Sequence, residues 1–132
     1  MNLFEVAPKP RCYMDAKKDL ALAYQRVSQD LLDMKSCLAA GFPMVIGFTV
    51  YQSFESDSVA SSGVVPMPAY GESVLGGHAV LNVGYDDQAG TFIAQNSWGT
   101  GWGQKGFFTL PQAYLVNSDL ASDFWTLRKM EE

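Results

Sequence analysis

The chain has 132 residues, 48% hydrophobic and 17% charged, with a formal charge of −5. This suits a single globular domain over 1–132 and excludes a disordered segment. The acidic balance, with no Lys/Arg-rich stripe, argues against nucleic-acid binding, and no apolar run approaches the roughly 20 residues of a bilayer crossing, so no membrane partner is expected.

Residues 1–15, with two prolines in "APKP" and little periodicity, read as an extended arm or loop without an apolar signal core. The sequence names no compartment. "DAKKDLALAYQRV" reads as a short helix or irregular segment leading into a strand from Ala23 to Val27. In "DLLDMKSCLAAGFP", Leu31, Met34, Cys37 and Leu38 recur at helical spacing, with Asp30 as N-cap and Gly41 and Pro43 as the stop. "MVIGFTVY" reads as a buried strand. Residues 52–77, rich in Ser, Gly and Pro, form a long surface excursion of a length that usually carries function. From His78 the spacing predicts a strand "HAVLNVGY", a turn "DDQAG", a strand "TFIAQN", a loop "SWGTGWGQKG" and a strand "FFTLP", an antiparallel meander. One more strand is expected around Phe124 to Leu127. There is no internal repeat.

His78 is the only histidine, and Cys12 and Cys37 are the only cysteines. This is a poor zinc set, and no metal or organic cofactor is expected. Either one internal disulfide or two free thiols fits the cysteine count.

The chemistry of His78 depends on what stands opposite it. If the hairpin folds about Gln88 with Tyr85 facing Thr91, Trp98 lies opposite the imidazole. A two-residue offset brings Asn96 there, on the same face, whereas a one-residue slip presents Ser97. An asparagine oxygen can accept the imidazole Nδ1–H, fix the tautomer and aim Nε2 outward as a base. A neighbouring indole can exclude water from that bond. This is the supporting half of a Cys–His–Asn arrangement for thiol catalysis. On pattern alone the alternative stands that Asn96 caps a strand end and Trp98 is core.

"GGHAVLNVGYDD" followed by "FIAQNSWGTGWGQKGFF" resembles the histidine and asparagine blocks of papain-like cysteine peptidases. "LAAGFPMVIGFTVYQSF" is similar to the helix and strand before that family's variable loop, and "DFWTLRK" to the closing strand of bacterial members. The resemblance implies an α+β fold: the antiparallel, barrel-like, β-rich right-hand domain of the papain fold, with short helices. It makes His78 the general base and acid and Asn96 its orienting partner. Trp98 then shields their bond, with Trp102 packed on the glycine-rich loop. Gly99, Gly101, Gly103 and Gly106 are expected to supply turns. Gly47, Gly76, Gly77 and Ala79 become substrate-binding, small enough to admit peptide backbone and a bulky apolar side chain.

The family's nucleophile lies in a "CGSCW"-like stretch that this sequence lacks; Cys12, in "KPRCYMD", and Cys37 lie in other contexts. The expectation is therefore a carboxy-terminal part of a cysteine peptidase, inactive alone, whose amino-terminal helical half carries the thiol and whose substrates are peptides or proteins. The alternative is a non-catalytic binding or assembly module. Either should expose an apolar face where a partner domain belongs, which favours a homo-oligomer.

Overall fold

A computed structural model describes residues 5–18 and 20–130. Six strands form one sheet in the order β1-β6-β2-β3-β4-β5: β1 Ala21–Arg26, β2 Met44–Tyr51, β3 Val74–Asp86, β4 Thr91–Gln95, β5 Phe107–Pro111 and β6 Ala121–Met130. Every neighbouring pair is antiparallel. Among the described residues four short helices accompany it: α1 Pro10–Ala16, α2 Leu31–Ala39, α3 Asp57–Ser62 and α4 Gln112–Leu115. None is long and apolar enough to cross a membrane.

The core lies on one face of the sheet. Met44, Ile46, Phe48 and Val50 of β2 point into it, as do Val80 of β3, Phe92 of β4 and Phe108 of β5. Met34 and Cys37 of α2 cover one end, while Phe54, Val59, Tyr114 and Leu115 cover the other. The run "MVIGFTVY" is thus buried on one face only, and Val45 is left 43% exposed. Val45 pairs with Leu81 and Trp125, and Tyr24 with Leu127, so these residues share the opposite, open face. Tyr24 and Leu127 are exposed there.

Helix α2 starts as the spacing predicts, with the Asp30 carboxylate accepting the N–H groups of Leu32 and Asp33. Three local expectations need correction. The arm expected over residues 1–15 coils into α1 from Pro10; residues 1–4 lie outside the described residues. Proline at the first helical position has its φ already set for the turn, and Arg11 and Asp15 pair one turn apart at 3.5 Å. The excursion after residue 52 holds a 3-10 turn, Gln52–Glu55, and then α3, capped by Ser56. Phe54 and Val59 anchor it in the core. The Glu72 carboxylate closes its base by accepting the N–H groups of Ser53 and Ala69; the Ser53 side chain first, then the N–H groups of Ala69 and Ser53, hold its carboxyl below the usual range. Finally, β3 begins at Val74, so His78 lies inside the strand rather than at its start.

Candidate active site

His78 sits where β3 pairs with β2, opposite Phe48. At the hairpin tip Asp86 pairs with Thr91 and Tyr85 with Phe92, one residue away from the expected register. The Asp86 carboxylate accepts the N–H groups of Gln88 and Ala89, which fixes this tip. A bulge between Asn82 and Gly84 then absorbs the difference, and beyond it Asn82 faces Ala94 and Leu81 faces Gln95. That is the register which, continued, sets Trp98 opposite His78.

Both expected neighbours are present. His78 Nε2 lies 2.9 Å from Asn96 Oδ1. The amide orientation follows from Ser97, whose N–H donates to the same oxygen at 2.8 Å. A backbone N–H can only donate, so the shared atom is the acceptor and Nε2 carries the proton. This corrects the expected nitrogen: Nε2 is held by asparagine, and Nδ1 is the free one. Asn96 is buried, and its own N–H donates to Gly106 O at 2.9 Å.

Aromatic rings surround the pair. Trp98 stacks on His78 with centroids 5.3 Å apart and planes 25° from parallel. Phe48 and Phe54 meet the imidazole at 5.9 and 6.3 Å. Trp102 meets Trp98 edge-on at 5.2 Å and also packs on Phe54 and Phe108. The glycine-rich loop is held by Gly103 N–H to Ala60 O and Gly106 N–H to Trp102 O. Gly103 has φ +58°, and a Cβ there would stand 2.5 Å from Phe107 O, so only glycine fits.

Hollows flank His78 on two sides. One, of about 220 Å3, is lined by Gly47, Phe48, Thr49, Gly77, His78 and the segment Ser118–Ser122. A Cβ on Gly47 would press to 3.3 Å on Ser122 O. The other, of about 120 Å3, is lined by Val50, Glu55, Leu75, Gly76, Gly77, His78 and Trp98. Ala79 does not join them; it lies with Val45, Leu81 and Asn96 around a third hollow. Sequence reasoning missed Phe54, Glu55, Asp119 and Ser122. The phenylalanine at the end of "VYQSF" was a signal for an anchor, but nothing local marks Asp119 or Ser122, which β2–β6 pairing brings alongside.

Neither cysteine lines a hollow shared with His78. Cys12 is exposed on α1; Cys37 is buried on α2 and donates to Phe42 O at 3.4 Å; both are free. Among the described residues no group of three or more His, Cys, Asp or Glu side chains could hold a metal ion.

Comparison with known proteins gives one consistent result. The model of the papain family cysteine protease matches residues 4–125. A peptidase C1-like protein of Acanthamoeba polyphaga mimivirus is 39% identical over 137 residues, covering 98% of this chain and 44% of that protein. Cathepsin B-like CP3 of Giardia intestinalis is 45% identical over 76 residues, 55% of this chain and 24% of its own length. Among solved structures, xylellain, a cysteine protease from Xylella fastidiosa, superposes with a TM-score of 0.87 at 42% identity, covering 92% of this chain and 45% of xylellain. The chain thus spans less than half the length of these relatives.

Proposed function

This chain belongs to the papain family of cysteine proteases, and we propose that it forms the histidine–asparagine wall of a cysteine peptidase, its carboxy-terminal part. The observation that carries this reading is the Nε2–H···Oδ1 bond of 2.9 Å between His78 and Asn96, beneath the stacked Trp98. With Nε2 occupied, Nδ1 is the nitrogen that exchanges protons. A thiolate from a segment outside these 132 residues attacks the peptide carbonyl, the C–N bond breaks, and Nδ1–H protonates the leaving amine. Water then attacks the acyl–sulfur bond while Nδ1 takes its proton, and the thiolate leaves. Throughout, Nε2–H stays on Asn96, so the ring needs no reorientation between steps. Trp98 keeps water from that bond, which strengthens it, and Trp102 backs Trp98 edge-on.

The hollow bordered by Gly47 and Gly77 takes a side chain on the acyl side of the cut, and its small residues leave room for a bulky one. Gly76 borders the hollow on the other side of His78, beside Trp98, and Ala79 has no part in either. A second reading, a non-catalytic binding module, draws on the location of both cysteines away from His78. In either case the open face bearing Tyr24, Val45 and Leu127 favours self-association of the isolated chain.

The test is peptide hydrolysis by the longer protein with its upstream segment. His78→Ala should lower kcat/KM by about 10²-fold or more, and the 132-residue chain alone should be inactive. Hydrolysis that survives His78→Ala overturns the role of His78, whereas no hydrolysis by the longer protein, or an upstream segment without a reactive thiol, favours the binding module.

A further inference from the structure

Resting on the proteolytic reading, we propose that Glu55 makes the leaving-group side of the cleft select a basic side chain. The two hollows that flank His78 share Gly77 and His78 between them. A peptide whose scissile bond lies at the imidazole therefore runs from one hollow into the other. With the acyl side in the Gly47 hollow, the residue released as the new amino terminus faces the Trp98 hollow, where Glu55 stands.

The chemistry of that hollow favours a cation. Glu55 is exposed at the end of the 3-10 turn, and its carboxylate has no hydrogen bond or ion pair with any described residue. No lysine or arginine lines either hollow. Val50 and Leu75 offer apolar surface for a methylene stem, while Trp98, 44% exposed, offers an indole to a charged head group. An arginine side chain can satisfy all three at once: stem on Val50 and Leu75, guanidinium between indole and carboxylate. An acidic side chain in the same place meets Glu55 and a chain of net charge −5. At about 120 Å3 the hollow is too small to enclose a whole arginine, so the pair stays wet and the selectivity moderate.

Two measurements test this. The longer protein is given peptides that differ only in Arg, Gln or Glu after the cut. The 132-residue chain is titrated with arginine amide and glutamine amide, followed by the NMR shift of the Trp98 indole N–H. Arginine should be favoured about five- to tenfold in both, less so at high salt. Glu55→Gln should remove the preference, and Glu55→Lys should turn it toward Glu. Cleavage with no preference, or a preference that survives Glu55→Gln, overturns the role of Glu55 and leaves the proteolytic reading intact. If nothing is cleaved, the proteolytic reading falls, and the amide titration alone decides: equal shifts for the two amides overturn the role of Glu55.

Discussion

His78 and Asn96 form a unit because each fixes a degree of freedom the other lacks. Ser97 N–H orients the amide, the amide selects the imidazole tautomer, and Trp98 holds the ring plane. Asn96→Ala should therefore mix the tautomers, visible as a change in the ¹⁵N shifts of both ring nitrogens, whereas the parent should show the Nε2–H form. The sequence placed Asn96 and Trp98 beside His78, because strand pairing preserves the face across even offsets. It could not assign the ring nitrogen, which depends on a side-chain rotamer and has no trace in residue spacing. A second asparagine is less well partnered. Asn82 is fully buried on the core face of β3, and neither its oxygen nor its nitrogen has a partner. Asn82→Val, similar in size, should raise the unfolding free energy by about 1–2 kcal/mol in denaturant titrations, because it removes the desolvation cost of an unpaired amide. A loss of stability would show that the amide is satisfied in solution.

The hairpin of β3 and β4 delivers Asn96 to His78, and its tip is tied down from outside. Lys35 of α2 donates to the Asp87 carboxylate, as does Gln112 at 3.3 Å. These bonds, that from Lys35 first, hold the Asp87 carboxyl below its ordinary value. A carboxylate depressed in the folded state stabilises at pH values above its unfolded pKa, and the contribution fades as pH falls through the folded one. Asp87→Asn should lower Tm slightly at neutral pH, with the gap to the parent closing in acid; a gap that widened in acid would contradict this ion pair. Helix α4 is tied to β2 by Tyr114, whose buried hydroxyl donates to Thr49 O at 2.7 Å, and burial raises its pKa. Tyr114→Phe should cost about 1 kcal/mol. The long elements were legible because their apolar periods are long: α2 showed its cap and stop, and β2 and the meander their runs. The tip register was misjudged by one residue because the bulge at Val83 has no sequence signature here. The 3-10 turn, α3 and α4 were missed because so few residues show no period, and what orders them is tertiary burial of Phe54, Val59 and Tyr114.

At the scale of the molecule, the sheet is finished on one side only. α2, α3, α4 and the 3-10 turn cover the core face, while Tyr24, Val45 and Leu127 face outward. In light scattering the isolated chain should behave as a dimer or larger species, and Val45→Lys with Leu127→Lys should shift it toward monomer. A clean monomer before substitution would count against the self-association. The apolar character of this face was legible as an expectation, but which residues form it depends on the register of β2 against β6, two strands far apart in sequence.

The stacking of Trp98 on His78 has an optical consequence. A protonated imidazole quenches an indole in contact with it far more than a neutral one does. In a variant with Trp102 and Trp125 replaced by phenylalanine, the emission of Trp98 would become an intrinsic gauge of the charge on His78. It would report that charge without substrate or thiol, in the 132-residue chain itself.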